Sequence, residues 1–415
     1  MNNAPITTGS RQHPATAVAN ETLINIAREY GSPVYVYHAE TIKQQYQKLR
    51  NAFGNAPAVF FYACKALTNI NILRYMKTIG SNIDCSSVNE VQLALEAGFA
   101  PKNILYTSNN IAFEEIEHAA SLGVHINIDS LSNLKKFAKK FGHTYPVGIR
   151  LRPNIMAGGN LKISTGHQDS KFGIAIDQLD EVLSLMSEHD LKISGLHIHT
   201  GSEIQDFAVF MTGLELLYRL SSQFPDLRFL DLGGGFKVPY KEGETGTDVE
   251  ALGERIAAAH SNFEKTSGRK LELWFEPGKY LVSECGYLVC QVNVIKQTLV
   301  KDFVGVNTGL NHLIRPMFYD AYHRIENISN PSGTRKPYTV VGNICETDTF
   351  ATDRMLNEVR EGDFLVFYNA GAYGFEMASN YNARFKPAEV LIENGQSRLI
   401  RRRDTLADLL RNQVV

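Results

Sequence analysis

The sequence lacks the features that mark several specialised classes of protein. No run of about 18 apolar residues occurs, so no membrane-spanning helix is predicted. Residues 1–20 are polar and do not show the basic-then-apolar order of a signal peptide, so we expect a cytoplasmic protein. The formal net charge is only -2, which favours neither nucleic acid nor an anionic membrane as a partner. The substrate class has to be inferred from individual sites.

Cysteine is scarce, and its spacing excludes two common uses. No CxxC pair occurs, so we predict neither a disulfide framework nor a zinc site, and we expect no bound metal. The five cysteines are Cys64, Cys85, Cys285, Cys290 and Cys345. His197 and His199 lie two residues apart on a predicted strand and leave a metal pair as an alternative, although no third ligand motif lies nearby.

One pattern recurs between residues 58 and 280. A short, apolar, β-branched run ends in polar residues or glycine, and a helical stretch follows. These runs occupy residues 58–64, 82–86, 104–108, 125–129, 147–152, 193–200, 229–233 and 273–277. Eight such units predict an α/β fold with a TIM-like (β/α)8 barrel, which we place at residues 46–282.

The pattern changes after residue 283. Runs at 287–295, 338–341, 363–368 and 388–392 are alternating or apolar, and Pro, Gly and Asn separate them. This predicts an antiparallel β-sandwich or barrel domain over residues 283–415. We expect a strand within residues 31–45 to join that domain. Residues 1–30 are predicted to be a flexible lead.

Polar residues follow the predicted barrel strands, at the ends where barrel enzymes carry their chemistry. They are Lys65, Asp84, Ser86, Asn109, Asp129, Arg150, His199, the glycines 233–235, and Glu276. Together they place a lysine, a histidine, a glycine loop and a carboxylate around one mouth. This favours a small-molecule substrate.

Lys65 and the glycine loop each allow two interpretations. A lysine at the end of a buried strand is unfavourable unless it is paired or reactive, but it can also extend to the rim. Gly233, Gly234 and Gly235 let backbone N–H groups converge on an anion, although three glycines also suit a tight turn. Phosphate is often bound after the seventh and eighth barrel strands, which favours an anion site here.

His199 and Glu276 supply the remaining groups. An imidazole at the mouth can stack on a flat ring, and the Ser202 hydroxyl can bind phosphate. A carboxylate at Glu276 can keep a pyridine nitrogen protonated, which makes the ring an electron sink. The alternative for Glu276 is a salt bridge with Lys279 that requires no cofactor.

Five motifs occur in a fixed order: YACKA at 62–66, HTGS at 199–202, GGGF at 233–236, EPG at 276–278 and CE at 345–346. In this order they resemble the pyridoxal-phosphate decarboxylases of ornithine, arginine and diaminopimelate, across residues 30–395. The segments 315–323, 345–348 and 370–374 are most similar to the branch that acts on diaminopimelate. The resemblance implies a carbon–carbon lyase that converts meso-2,6-diaminopimelate to L-lysine and CO2, the last step of lysine biosynthesis.

The resemblance also implies roles for individual residues. Lys65 would hold pyridoxal phosphate, His199 would stack on its ring and Glu276 would pair with its pyridine nitrogen. The other cofactor-binding residues would be Asp84, Ser202, Gly233, Gly234, Gly235, Gly278, Lys279 and Tyr373. The substrate would meet Lys279, Arg315, Tyr319, Glu346 and Tyr373. Cys345 would return a proton, and Cys345 and Glu346 would come from the partner subunit of an obligate homodimer.

Two positions depart from the family pattern. Lys279 stands where relatives commonly carry arginine, so a point charge replaces a bidentate fork. Glu376 stands where relatives usually carry a small residue, and the sequence gives its carboxylate no role.

The branches of the family differ in the charged groups at the distal end of the substrate that each one binds. Diaminopimelate carries an ammonium and a carboxylate there, which Glu346 and Arg315 would match if they share a pocket. An arginine would repel the distal ammonium of ornithine. The alternatives left open are a decarboxylase of ornithine, arginine or carboxynorspermidine, a racemase, a sugar-phosphate barrel, and an inactive regulatory relative that binds the cofactor.

Overall fold

Two units make up the computed structural model, which describes residues 17–153 and 170–414. The chain begins in the second unit, with helix α1 (Asn20–Tyr30) and strand β1 (Val34–His38). Leu23, Ile26 and Ala27 are buried and recur at the spacing of one helix face, and α1 ends at Gly31. The prediction of a flexible lead is therefore wrong for residues 20–30, and residues 1–16 lie outside the described part.

The first unit is a closed barrel. Its strands are β2 (Ala58–Ala63), β3 (Asn82–Cys85), β4 (Ile104–Thr107), β5 (His125–Ile128), β6 (Val147–Arg152), β7 (Ile174–Ala175), β8 (Ile193–Ile198), β9 (Phe229–Asp231) and β10 (Glu272–Phe275). All pair in parallel; β10 closes on β2, β5 pairs with β6, and the short β7 extends from β6. Each of the eight predicted runs contains a ring strand, so the predicted barrel is confirmed.

Helices surround this ring. They are α2 (Ala39–Ala52), α3 (Ile70–Thr78), α4 (Val88–Glu96), α5 (Phe113–Ser121), α6 (Leu131–Phe141), α7 (Leu179–His189), α8 (Phe207–Ser221), α9 (Val249–Ser267) and α10 (Lys279–Val282). Five begin at a side chain that accepts a backbone N–H of the first turn: Asn69, Ser87, Ser130, Asp206 and Asp248. These caps end the loops that follow the strands and so shape the mouth. The predicted boundary at residue 46 lies inside α2, which packs on α9.

Alternation along the barrel strands separates the outer core from the lumen. Phe60 and Tyr62 belong to the main core cluster beneath the helices, whereas Phe61 joins a separate cluster with Leu105, Phe229 and Trp274. Because Leu105 and Phe229 come from non-adjacent strands, this second cluster crosses the lumen. The Phe229 and Trp274 rings stack with centroids 3.6 Å apart. An apolar plug therefore fills the lower barrel and leaves the upper lumen to polar side chains.

The second unit is a β domain. Its further elements are β11 (Gly286–Gln297), β12 (Asp302–Val306), α11 (Arg315–Tyr319), β13 (Ile325–Asn327), β14 (Arg335–Val341), β15 (Thr349–Asn357), β16 (Phe364–Phe367), β17 (Ala388–Glu393), β18 (Gln396–Arg401) and α12 (Leu406–Leu410). Strand β1 lies between β11 and β17, as expected for an N-terminal strand that joins this domain. Most strand pairs of this sheet are antiparallel, as predicted, whereas β1 pairs in parallel with β17 and β12 pairs in parallel with β14. Across the described ranges, no helix combines the length and apolar character that crossing a bilayer requires.

Candidate active site

The polar layer above the plug is built by residues of one strand face. On adjacent strands, Asp231 and Glu276 lie two positions beyond lumen-facing Phe229 and Trp274, and His197 on β8 is in register with Asp231. Nitrogen or oxygen atoms of these three side chains lie within 4.8 Å of one another. Period-two alternation therefore brings charged groups together in a dry part of the barrel.

A cavity of about 500 Å³ opens above this layer, between the barrel mouth and the β domain. This volume suits a small molecule. The predicted site residues that line it are Lys65, Asp84, His199, Ser202, Gly235, Glu276, Gly278, Lys279, Arg315, Tyr319 and Tyr373. Gly233 and Gly234 form the preceding part of the loop, whereas Cys345 and Glu346 lie outside the lining.

Lys65 projects into the cavity from a turn just after β2. Its Nζ lies 4.0 Å from Oδ2 of Asp84, and the side chains are 47% and 2% exposed, so the lysine reaches open space while the carboxylate stays enclosed. The Tyr373 N–H donates to the Ala66 carbonyl at 2.8 Å, which ties this turn to the β domain. Burial lowers the pKa of Lys65, but Asp84 and Tyr373 raise it by more, so the pKa lies above its usual value.

His199 is held in one orientation by the glycine loop. The Gly234 N–H donates to its Nδ1 at 3.2 Å, so Nδ1 is the acceptor and the neutral ring carries its proton on Nε2. Burial, followed by the charge of Arg150, lowers the pKa of His199 to about 3. Gly233 has φ of +67°, and a Cβ there would collide with the His199 ring. The imidazole therefore presents a neutral face at the mouth.

Glu276 does not pair with Lys279, so the cofactor-independent salt bridge is wrong. Its Oε2 lies 3.5 Å from Nε2 of His197, whereas Lys279 donates to Oε1 of Glu203 at 2.6 Å. Burial raises the pKa of Glu276, but His197 and Lys65 lower it by more, so the pKa falls below its usual value. Glu276 is a buried anion at the base of the cavity.

Two cations and an aromatic ring form the far wall. The Lys279 ammonium and the Arg315 guanidinium lie 5.6 Å and 5.4 Å from the Tyr240 ring centroid. Arg315 also donates from Nε to Nε2 of His323 at 3.4 Å. Burial, followed by the charge of Arg315, lowers the pKa of His323 to about 3, so this ring is a neutral acceptor. The wall suits a carboxylate.

Sequence reasoning missed three residues of this wall. Glu203 directly follows the HTGS motif and has φ of +64°, but its pairing with Lys279 spans 76 residues and leaves no local signal. Tyr240 lies in the loop after β9, with no motif around it. His323 ends the 315–323 segment, so its position could have drawn attention to it.

Cys345 and Glu346 lie apart from the other predicted residues. Both are exposed on the β domain, and Asn382 donates from Nδ2 to Sγ of Cys345 at 3.1 Å. The hydroxyl of Tyr381 donates to Oε1 of Glu346 at 2.7 Å. One chain therefore orders these side chains at its surface without bringing them to its own cavity.

Glu376 forms a hydrogen bond with the segment that follows Lys65. Its Oε1 accepts the Thr68 N–H at 2.8 Å, three residues after Lys65. Burial raises the pKa of Glu376, while the Thr68 bond lowers it. The carboxylate therefore holds the segment that carries Lys65 against the β domain, a contact that a small residue could not make.

These groups fit pyridoxal phosphate. Within the described residues, Oδ1 of Asp84 is buried without a hydrogen-bond partner, and the Glu276 carboxylate lines the same cavity. The glycine loop admits no side chain at Gly234, because a Cβ would overlap the Glu276 carbonyl. Such a backbone cradle beside Ser202 suits a phosphate. Lys65 reaches the same cavity.

Comparison with known proteins agrees with this chemistry. The family model for the pyridoxal-binding domain of pyridoxal-dependent decarboxylases matches residues 39–283. Diaminopimelate decarboxylase of Methanothermobacter thermautotrophicus is 38% identical over 94% of each chain. The enzyme of that name from Escherichia coli K12 is 35% identical over 95% of this chain and 97% of its own.

Solved structures give the same assignment. Diaminopimelate decarboxylase of Helicobacter pylori, complexed with L-lysine, matches with a TM-score of 0.85 and 33% identity over 94% of this chain and 98% of that one. The overall fold, barrel and β domain together, thus matches that of a relative with one third of its residues identical. The chain belongs to the diaminopimelate decarboxylases, a family of carbon–carbon lyases that depend on pyridoxal phosphate and catalyse the last step of lysine biosynthesis.

Proposed function

We propose that this chain removes CO2 from meso-2,6-diaminopimelate to give L-lysine, with Lys65 as the lysine that carries pyridoxal phosphate. The observation that supports this most is the cavity itself. Its lining contains Lys65, His199 and Glu276 together with the cations Lys279 and Arg315. The residues proposed to bind the cofactor and those proposed to bind a carboxylate therefore share one small volume.

The residues at the mouth would hold and tune the cofactor. When bound, pyridoxal phosphate supplies a ring that accepts the electron pair left behind by CO2. Glu276, as a buried anion, would keep the pyridine nitrogen protonated, and the neutral face of His199 would stack on the ring. Ser202 and Gly233, Gly234 and Gly235 would bind the phosphate, beside Gly278. Asp84 would hold the Lys65 ammonium in place before the cofactor arrives.

The far wall would orient the substrate. Arg315 and Lys279 would bind the distal carboxylate, with Tyr319 and Tyr373 beside them. Fixing the distal end sets the rotation about the reacting carbon, so the bond to CO2 can stand perpendicular to the cofactor ring. Glu203 would hold the ammonium of Lys279 in one position at the wall. This fixed position would partly replace the bidentate geometry that an arginine guanidinium gives in relatives.

A second copy of the chain would complete the site. Cys345 and Glu346 are exposed and already ordered by Asn382 and Tyr381, which supports a role at an interface between copies. Large apolar side chains are exposed on the same domain, among them Phe318 and Phe385. In a homodimer, Glu346 would bind the distal ammonium and Cys345 would return a proton to the reacting carbon. We propose the cytoplasm as the compartment, which the five free thiols support.

A direct assay compares CO2 release from meso-2,6-diaminopimelate, ornithine and arginine. The proposal predicts a kcat/KM for diaminopimelate at least about 100-fold above the others, since one unmatched charge in a buried site costs about 3 kcal/mol. A faster reaction with ornithine would contradict the role given to Arg315. Loss of optical activity without CO2 would identify a racemase.

A further inference from the structure

Asp231 is a buried carboxyl group beside Glu276 that the proposed mechanism does not use. It ends β9 with no exposed surface, and its Oδ1 accepts the Gly233 N–H at 2.8 Å. Within the described ranges, its Oδ2 has no hydrogen-bond partner, and neither has Oε1 of Glu276. Two buried carboxyl groups therefore lie side by side, each with one unsatisfied oxygen.

Simultaneous ionisation of Asp231 and Glu276 at neutral pH would carry a large free-energy penalty. Their oxygens lie within 4.8 Å, in a layer sealed below by the aromatic plug. Like charges at such a distance repel strongly where water is excluded. One proton between Oδ2 of Asp231 and Oε1 of Glu276 removes the repulsion and gives both oxygens a partner.

The surrounding charges decide which group keeps the proton. Glu276 faces His197 and Lys65, which favour its anion. Asp231 faces Glu276 and Asp84, which oppose its ionisation, while Arg150 lies near both carboxylates. Burial, followed by the charge of Glu276, raises the pKa of Asp231 well above its usual value. The proton therefore belongs on Asp231.

We propose that Asp231 is a neutral carboxylic acid that donates a hydrogen bond to Glu276 and so keeps Glu276 as the anion of this pair of carboxyl groups. Asp231 is then a positioning residue that acts through Glu276. The effect of Asp231 on the pyridine nitrogen rests on the proposed function. The shared proton is independent of the proposed function, because it is present in the cofactor-free protein.

A metal ion fits this cluster less well than a proton. Asp231, Glu276 and His197 would supply three ligands, whereas zinc sites take four, and burial leaves little room for water as the fourth. One oxygen of Asp231 is already occupied by the Gly233 N–H. A divalent ion that persists through dialysis of the purified protein, found by elemental analysis, would overturn the proposal.

Infrared spectroscopy of the cofactor-free protein tests the proton directly. A protonated carboxyl gives a carbonyl band that shifts in D2O, and we expect Asp231→Asn to remove one such band at pH 7. Asp348→Asn is the matched control, because Asp348 is a buried carboxyl of the β domain. Its substitution should leave that band in place. A wild-type spectrum that Asp231→Asn does not change would overturn the proposal.

A second variant covers a failure of Asp231→Asn to fold. Glu276→Gln replaces the acceptor by an amide that can donate to Oδ2 of Asp231. Asp231 should then ionise, and the same band should disappear. A band that persists in Glu276→Gln would show that the proton does not depend on Glu276, which would also overturn the proposal.

The bound cofactor gives an independent readout. Asp231→Asn changes no charge if Asp231 is neutral, so the pH midpoint of the cofactor absorbance should stay within about 0.3 unit. If Asp231 were ionised, loss of its charge should move that midpoint by about one unit or more. Absence of CO2 release from diaminopimelate together with loss of the infrared band would reject the proposed function and leave the shared proton standing. CO2 release from diaminopimelate together with an unchanged infrared band in Asp231→Asn would support the proposed function and reject the shared proton.

Discussion

The barrel mouth and the Cys345 segment, the two parts of the proposed site, differ in how far they are buried. At the mouth, Asp84, Glu276 and Asp231 are almost fully enclosed, and their charges control one another. On the β domain, Cys345 and Glu346 are exposed and form hydrogen bonds with Asn382 and Tyr381. In the proposed function, one chain would therefore supply the whole cofactor part, whereas Cys345, the proposed proton donor, lies on the outer surface. Substitutions on the two sides should fail in different ways.

The largest effect is expected at Lys65. Lys65→Ala removes the amine that would carry the cofactor, so kcat should fall by on the order of 10³-fold or more, and the visible absorbance of the bound cofactor should disappear. Lys136→Ala, at an exposed position on α6, is the control and should retain both. Full absorbance in Lys65→Ala would place the cofactor on another residue.

Substitution of Cys345, on the exposed surface of the β domain, should reduce turnover less than substitution of Lys65 and should leave the bound cofactor in place. Cys345→Ala should lower kcat by about 10²-fold, because a positioned proton donor contributes at least that much. The absorbance of the bound cofactor should stay at the wild-type level, since Cys345 lies outside the cavity. Cys290→Ala, at a buried thiol of β11, controls for loss of a cysteine in the same domain. Wild-type turnover in Cys345→Ala would assign the proton to another group.

Arg315 tests the far wall. Arg315→Met keeps much of the side-chain volume and removes the charge, so kcat/KM for diaminopimelate should fall by about 10- to 100-fold. The affinity for pyridoxal phosphate should change little. Arg335→Met, on an exposed part of β14, is the control. An equal loss of cofactor affinity would mean that Arg315 belongs to the cofactor part instead.

The smallest effect concerns pH and stability. His323 has a pKa of about 3 in the folded chain and near 6.5 when unfolded, so the unfolded state binds more protons between these values. The stability linked to His323 is complete above pH 6.5 and declines as pH falls. Between pH 6.5 and 5 the loss should be about 2 kcal/mol. Chemical denaturation of the cofactor-free protein should show a shallower decline in His323→Gln, but not in His118→Gln at an exposed position.

Local patterns predicted the barrel well because strand ends and lumen-facing positions follow a period of two. The same rule places Asp231 and Glu276 on the lumen face of adjacent strands, so it could have predicted that they lie close together. Contacts between segments that are distant in the sequence could not be predicted from local patterns. Nothing near Lys279 indicates Glu203, and nothing near β1 indicates its parallel partner β17. Helix α1 gives only a weak signal in the sequence, because its short apolar face of Leu23, Ile26 and Ala27 directly follows a polar stretch.

We propose that two copies of the chain together complete each diaminopimelate decarboxylase site. Lys65→Ala and Cys345→Ala, carried on differently tagged chains and purified as a mixed dimer, leave one site with both residues intact. The mixed dimer should release CO2 from meso-2,6-diaminopimelate at about half the wild-type rate per dimer, while each variant alone stays nearly inactive. A mixed dimer no more active than its parents would contradict the claim and place Lys65 and Cys345 in the site of the same chain.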